Sequence, residues 1–254
     1  MYRLSEFDGV DLPKRMGSDD LSTGAVTGTL TPALGQVFDL AGADRRLPRV
    51  QQIQVSGLYS AQDGDLRTQV TLLKALIGVR GQLWRRRDAD GVRQWKTARL
   101  LSVSHEREAA DVDVAELDAS FETPMVGWRA ETLKSVAQTG TNFGFTVANN
   151  GTMPVDDAVV EIKSGGALSS VRITMSGGVD FLYSNSLPIN SRILIDCGAL
   201  TVRAANGDDR YQYFSLGAGH TVGGWLPLAV GANSLSVAAN ANVTVTVKFY
   251  EQYA

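Results

Sequence analysis

The chain has 254 residues, 44% hydrophobic and 20% charged, which suits one large or two medium-sized globular domains. A net charge of −3 excludes a mainly electrostatic nucleic-acid binder. One cysteine, Cys197, excludes a disulfide framework or a cysteine-rich zinc site, and two histidines, His105 and His220, leave little for histidine-based metal chemistry.

Residues 1–22 carry Gly9, Pro13, Gly17 and Asp19-Asp20 without a sustained apolar period, so they read as an N-terminal arm. The start lacks the apolar stretch of a secretory signal, and no run approaches the ~20 apolar residues of a membrane span. Segments 25–30 and 50–57 mix β-branched and polar residues and predict strands. Leu66, Val70, Leu73 and Ile77 recur at helical spacing and predict a helix over 63–78, with Gly78 and Gly81 beyond its end. Segments 82–87 and 92–96 flank Asp88-Ala89-Asp90-Gly91, a hairpin signal. Strands follow at 98–105 and 112–121, the latter with a phase slip near Ala115-Glu116 that predicts a bulge.

Charge then thins out. Residues 1–140 hold 37 of the 51 charged side chains, which places a domain boundary near 129–142. We divide the chain into an arm (1–22), a β-sandwich domain with one helix and a β-hairpin (23–130), a linker (131–141) and a second β-sandwich (142–254). Predicted strands of the second domain are 143–148, 157–163, 168–175, 179–184, 192–197, 199–204, 210–216, 234–238 and 243–250. Short strands at this spacing, with turns such as Gly177-Gly178 and Asn206-Gly207, predict a sandwich or jelly roll.

No catalytic, cofactor-binding or metal-binding residue emerges. The glycine-dense segment Gly217–Gly224 has Val222 at the third glycine position of a dinucleotide fingerprint and no helix after it, so it reads as a loop. His220 and His105 lack a surrounding nucleophile or triad pattern. Asp88–Gly91 lacks the later ligands of a calcium loop. Asp156, Asp157 and Glu161 read as turn acids, since a glycosidase pair needs a spacing that sequence does not define. Asn150-Gly151-Thr152 and Asn242-Val243-Thr244 match the glycosylation sequon but read as a turn and a strand start. Cys197 ends an apolar run and reads as a buried thiol. Arg85-Arg86-Arg87 is the only basic run, and it is the candidate partner contact: a strand that faces solvent or another protein.

The second domain also carries an ordered string: Ile193-Leu194-Ile195-Asp196-Cys197, Asn206-Gly207, Trp225-Leu226-Pro227-Leu228, Gly231-Ala232-Asn233-Ser234-Leu235, and a closing Val-x-Val strand into Phe249-Tyr250. This order resembles the C-terminal galectin-like domain of the distal tail (Dit) proteins of long-tailed phages. Helix, hairpin and the strand ending Phe121-Glu122-Thr123-Pro124 follow the order of that family's N-terminal domain. The resemblance covers the chain except residues 1–24. It implies a non-enzymatic structural subunit of the virion, assembled in the host cytoplasm. Such a subunit forms a homo-oligomeric ring, a hexamer, closed by its N-terminal domains. The implied partners are the tail-tube protein, the tail hub or tip protein and the tape-measure protein, with no sequence-specific nucleic acid. A ring bore that passes DNA should avoid dense Lys and Arg, since bound phosphates would stall passage. The alternative function is a carbohydrate-binding module acting through the C-terminal domain. That reading needs an exposed aromatic ring; Trp225, the domain's one tryptophan, is expected to be mostly packed, and a buried Trp225 counts against the reading.

Overall fold

A computed structural model describes residues 2–12, 15–16, 50–60, 66–87, 89–107, 114–124, 127–176, 178–217 and 225–254. The predicted strand at 25–30 lies outside them. The chain divides into two units, 1–131 and 132–254. Among the described residues, no helix is long and apolar enough to cross a membrane.

The N-terminal unit holds strands β1 (Tyr2–Phe7), β2 (Val10–Asp11), β3 (Arg15–Met16) and β4 (Val50–Ser60), then helix α1 (Leu66–Ala75). Strands β5 (Arg80–Arg87), β6 (Arg93–Arg107), β7 (Val114–Pro124) and β8 (Trp128–Ala130) follow. The sheet order is β2-β1-β5-β6-β7-β4-β3, with β8 also paired to β6.

The first residues are therefore a strand in the sheet and not a loose arm. Leu4 and Phe7 stand three apart, which breaks the period of two expected of a strand. A register shift between Leu4 and Glu6 resets the pleat and turns both inward. Phe7 then packs 5.1 Å from Phe121, centroid to centroid. The same device corrects the expected bulge near Ala115-Glu116. Pairing is regular there, and the shift lies in β6 between Leu100 and Ser102. It lets Leu100 and Val103, again three apart, both reach the core. The two strands predicted at 92–96 and 98–105 are one continuous β6.

Helix α1 ends at Ala75, short of the predicted end at 78; residues 63–65 lie outside the described set. Val70 and Leu73 are buried as predicted, but Ile77 is 45% exposed. It sits in the turn beyond the helix, where Leu76 takes over the packing against the core. Gly78 closes that turn at φ +86°, a backbone state that costs glycine little, and its N–H donates to the Leu100 carbonyl at 2.7 Å.

The C-terminal unit holds β9 (Lys134–Asn149), β10 (Val159–Ser164), β11 (Leu168–Met175), β12 (Val179–Leu187), β13 (Arg192–Asp196), β14 (Thr201–Ala204), β15 (Phe214–Leu216) and β16 (Gly231–Phe249). The sheet runs β14-β13-β10-β16-β11-β12-β15, with β9 along β16. The predicted strands at 234–238 and 243–250 are thus one strand of 19 residues, and Asn242 lies inside it. Its interior-facing positions keep one phase throughout, from Asn233, Leu235 and Val237 to Val243, Val245, Val247 and Phe249. Its first half pairs with β11 and its second half with β10.

The corner lies at 239–242, where the register with β9 jumps between Ala238 and Val243. Ala239 and Ala241, partly buried, pack against the core there. Asn240 anchors the corner: its Oδ1 accepts the Ser169 and Ser170 N–H groups at 2.8 and 2.9 Å. The expected linker 131–141 is also corrected, because residues 134–141 belong to β9. Val136 pairs with Val247 and packs against the core.

Candidate functional site

In the N-terminal unit, strand alternation sends the arginine run to opposite faces of β5. Arg85 is 5% exposed; its Nε donates to Gln94 Oε1 at 2.8 Å, and its guanidinium lies 4.5 Å from the centre of the Trp128 ring. Arg87 forms a two-pronged ion pair with Asp90, whose Oδ1 also accepts the Val92 N–H at 3.2 Å. The Arg87 hydrogen bond holds the Asp90 carboxyl below its ordinary pKa. Asp90 therefore closes the hairpin and is not a calcium ligand. Arg86 is the exposed member of the run.

Around this run the structure assembles a basic-aromatic array that the sequence reading missed. On the face carrying Arg85, Lys96 places its ammonium 4.7 Å from the Trp128 centroid. On the other face Trp84 and Trp95 are cross-strand partners with centroids 6.4 Å apart. Arg93 lies 4.3 Å over Trp84, and Arg129 lies 5.1 Å over Trp95. Arg93 also binds Glu6 at 2.7 Å and Glu131 at 3.5 Å.

Each such contact contributes about 0.5–1 kcal/mol when exposed and more when dry. Rings and cations thus hold each other in place, with Arg85, Lys96, Trp95 and Trp128 buried and Trp84, Arg93 and Arg129 half-buried. The signal was present as Trp84-Arg85, Arg93-x-Trp95-Lys96 and Trp128-Arg129, three of the chain's four tryptophans each next to or near a cation. Pairing of β6 with both β5 and β8 was needed to bring them together.

Lys96 is 4% exposed, and burial, reinforced by the neighbouring Arg85 charge, lowers its pKa to about 8.

The other sequence candidates resolve into structural roles where they are described. Cys197 is buried, and burial pushes its thiol up to about 12, so it stays protonated. Glu161 binds Lys248 at 2.7 Å and Arg192 at 3.4 Å. The Lys248 hydrogen bond, opposed by desolvation, leaves its pKa below the ordinary value, so Glu161 is ill-suited to donate a proton. Asp157 accepts from Gln252 Nε2 at 3.2 Å. His220 and most of the glycine-dense loop lie outside the described residues, as does the His105 side chain.

In the C-terminal unit, Trp225 is 6% exposed and packs 4.7 Å from Phe214, as its place in the apolar stretch predicted. It is no ligand platform. Tyr211, on a 3-10 turn spanning Tyr211–Tyr213, stacks on it at 5.9 Å and is itself 52% exposed. Tyr211 borders a cleft of about 350 Å³ that Leu200, Thr201, Arg203, Gly207 and Asp209 also line.

Residues 150–253 match the family model described as siphovirus-type tail component, C-terminal domain. This match lies within the C-terminal unit. The matched span covers the galectin-like string read from the sequence, so the chain carries a domain similar to that of a phage tail component. Over the whole chain the fold is similar to the crystal structure of the SPP1 Dit protein, described as a paradigm of the hub adsorption apparatus in phages infecting Gram-positive hosts. The TM-score is 0.60 at 13% identity, covering 98% of this chain and 99% of that one. The mostly-β, two-domain architecture expected from the sequence is that fold. Chains of the phage p2 baseplate in its activated conformation also match. The strontium-bound structure gives TM-score 0.38 at 9% identity, covering 81% of this chain and 80% of that one. The calcium-bound structure gives 0.40 at 8% identity, covering 100% and 92%. No curated protein sequence matches the chain.

Proposed function

We propose that the protein is a distal-tail subunit that closes a homo-oligomeric ring, a hexamer, at the tip of a phage tail. The ring joins the tail tube to the hub or receptor-binding apparatus, and the tape-measure protein is a further neighbour. The tail-component match over 150–253 carries this reading, and the whole-chain fold supports it. The basic-aromatic array adds a physical argument. A ring needs head-to-tail contacts between unlike surfaces of one chain. Rigid Trp and Arg side chains lose little entropy on being covered, and these residue types are enriched where interfaces are strongest. Only its outer face, with half-buried Trp84, Arg93 and Arg129, is open to such use, together with Arg86, the exposed member of the arginine run.

Native mass spectrometry tests the ring. The expected species is six copies of the 27.2 kDa chain. A monomer at every concentration, together with its absence from tail tips in micrographs of the virion, overturns the proposal. A ring structure whose bore is lined by Arg86 would assign that residue to the channel instead of the interface.

A second reading, saccharide contact through the C-terminal unit, is favoured by one observation: the exposed Tyr211 ring beside a cleft.

A further inference from the structure

We infer that the cleft between the β13–β14 hairpin and the Tyr211 turn binds a neutral saccharide, one pyranose ring lying against Tyr211. The inference rests on the second reading above and is independent of ring formation.

The cleft is built from rigid parts. Arg203 and Asp209 face each other across an isolated antiparallel bridge. The hairpin between them is held by Ala204 N–H to Asp208 O at 2.8 Å, Gly207 N–H to Ala204 O at 2.9 Å, and Arg210 N–H to Val202 O at 2.8 Å. Gly207, at φ +91°, makes its turn. The Tyr211 ring is fixed from behind by Trp225 at 5.9 Å and Phe214 at 6.3 Å, so its other face needs no ordering on binding. Leu200, 52% exposed, supplies an apolar wall, and it does so from a left-handed backbone state (φ +54°) that is unusual for leucine.

The polar groups define the ligand. Arg203 and Asp209 are cross-strand neighbours of opposite charge, yet among the described residues they make no ion pair with each other. Asp209 Oδ1 accepts the Tyr211 N–H at 2.9 Å, which leaves Oδ2 for a ligand. The site thus offers a guanidinium donor and a carboxylate acceptor side by side at the edge of an aromatic face. Two adjacent hydroxyls satisfy both, one accepting from Arg203 and one donating to Asp209. A pyranose ring presents such hydroxyls around an apolar C–H face that suits the tyrosine. An anion would meet Asp208 and Asp209, and a cation would meet Arg203. A flat hydrocarbon would leave the charged pair unsatisfied. The volume of about 350 Å³ lies at the small end of ligand sites, the scale of one or two sugar rings.

Saturation-transfer NMR on the full chain tests this, with the methyl glycosides of glucose, galactose and N-acetylglucosamine as probes at millimolar concentration. At least one is expected to receive saturation. Its affinity should fall roughly tenfold in Tyr211→Ala, the upper end of what an aromatic stack contributes, and stay near wild type in Tyr211→Phe. Arg203→Ala should weaken it as well. Both positions are exposed, so the circular dichroism spectrum should not change. If none of the three sugars binds the wild type, the site and the second reading fail together. If a sugar binds and Tyr211→Ala does not weaken it, saccharide contact survives and this cleft is wrong. The ring proposal is untouched by either result.

Discussion

In the C-terminal unit the inward faces of β10, β13 and β16 present Val160, Ile162, Ile193, Ile195, Val245, Val247 and Phe249, an unbroken apolar layer. In the N-terminal unit the same kind of face on β5 and β6 starts with Leu83, Ala98 and Leu100 and continues as Arg85, Gln94 and Lys96 around Trp128. The first arrangement draws its stability from apolar area removed from water. The second spends part of a sheet face on buried cations, and that costs stability unless the rings compensate. The difference teaches what each layer relies on. An apolar layer is held by burial alone, whereas a cation-and-indole layer depends on each ring–cation contact to offset the cost of burying charge.

The largest expected effect breaks the apolar side of this comparison. Phe249→Ala removes a fully buried ring from the C-terminal core and should destabilise that unit by about 3–5 kcal/mol. Urea denaturation followed by far-ultraviolet circular dichroism reads it, and a loss below about 1 kcal/mol would mean that the apolar layer is not what holds the unit.

The second effect has the opposite sign and sits on the other side. The folded-state pKa of Lys96, about 8, is below its unfolded value of 10.5. The unfolded chain therefore binds more protons between these values, and stability rises with pH across that window. The penalty is present in full below pH 8. Lys96→Met should raise stability at pH 7 by about 1–3 kcal/mol and remove the rise between pH 8 and 10.5. Thermal melts across that range check both statements. A destabilised Lys96→Met would show that the Trp128 contact outweighs desolvation.

The smallest effect sharpens the comparison at a rim ion pair. Glu161 has its pKa lowered, chiefly by Lys248, so its contribution is present above the unfolded carboxylate value and is lost as pH falls through the folded one. Glu161→Gln should cost at most about 1 kcal/mol at pH 7 and nothing once both forms are protonated in acid. Denaturation curves followed from pH 7 down into acid measure it.

Much of this was legible without coordinates. The period of two through Val243, Val245, Val247 and Phe249 implied an inward strand face, the Asp88–Gly91 turn implied a hairpin, and Gly78 implied a helix stop. Each depends on residues close in the chain, and local geometry is what a periodic pattern encodes. The ordered string around Cys197 and Trp225 also pointed to the tail-component domain that the family match bears out. Strand continuity was not legible. Asn240 and Asn242 fall between the two segments read as separate strands, yet Asn240 is consumed by the Ser169 and Ser170 amides and β16 runs on.

Sequence alone thus determined the β-rich composition, the charge division between the two units and the faces that each regular strand must bury, because alternation and turn chemistry act over a few residues. Tertiary structure decided three further things. Leu4 and Phe7 share a face through a bulge, Arg85, Lys96 and Trp128 meet, and Tyr211 is left exposed on a buried Trp225. These depend on pairings between segments far apart in the chain. No local period records which strand will lie beside which, and only the paired strands bring such side chains within reach of one another.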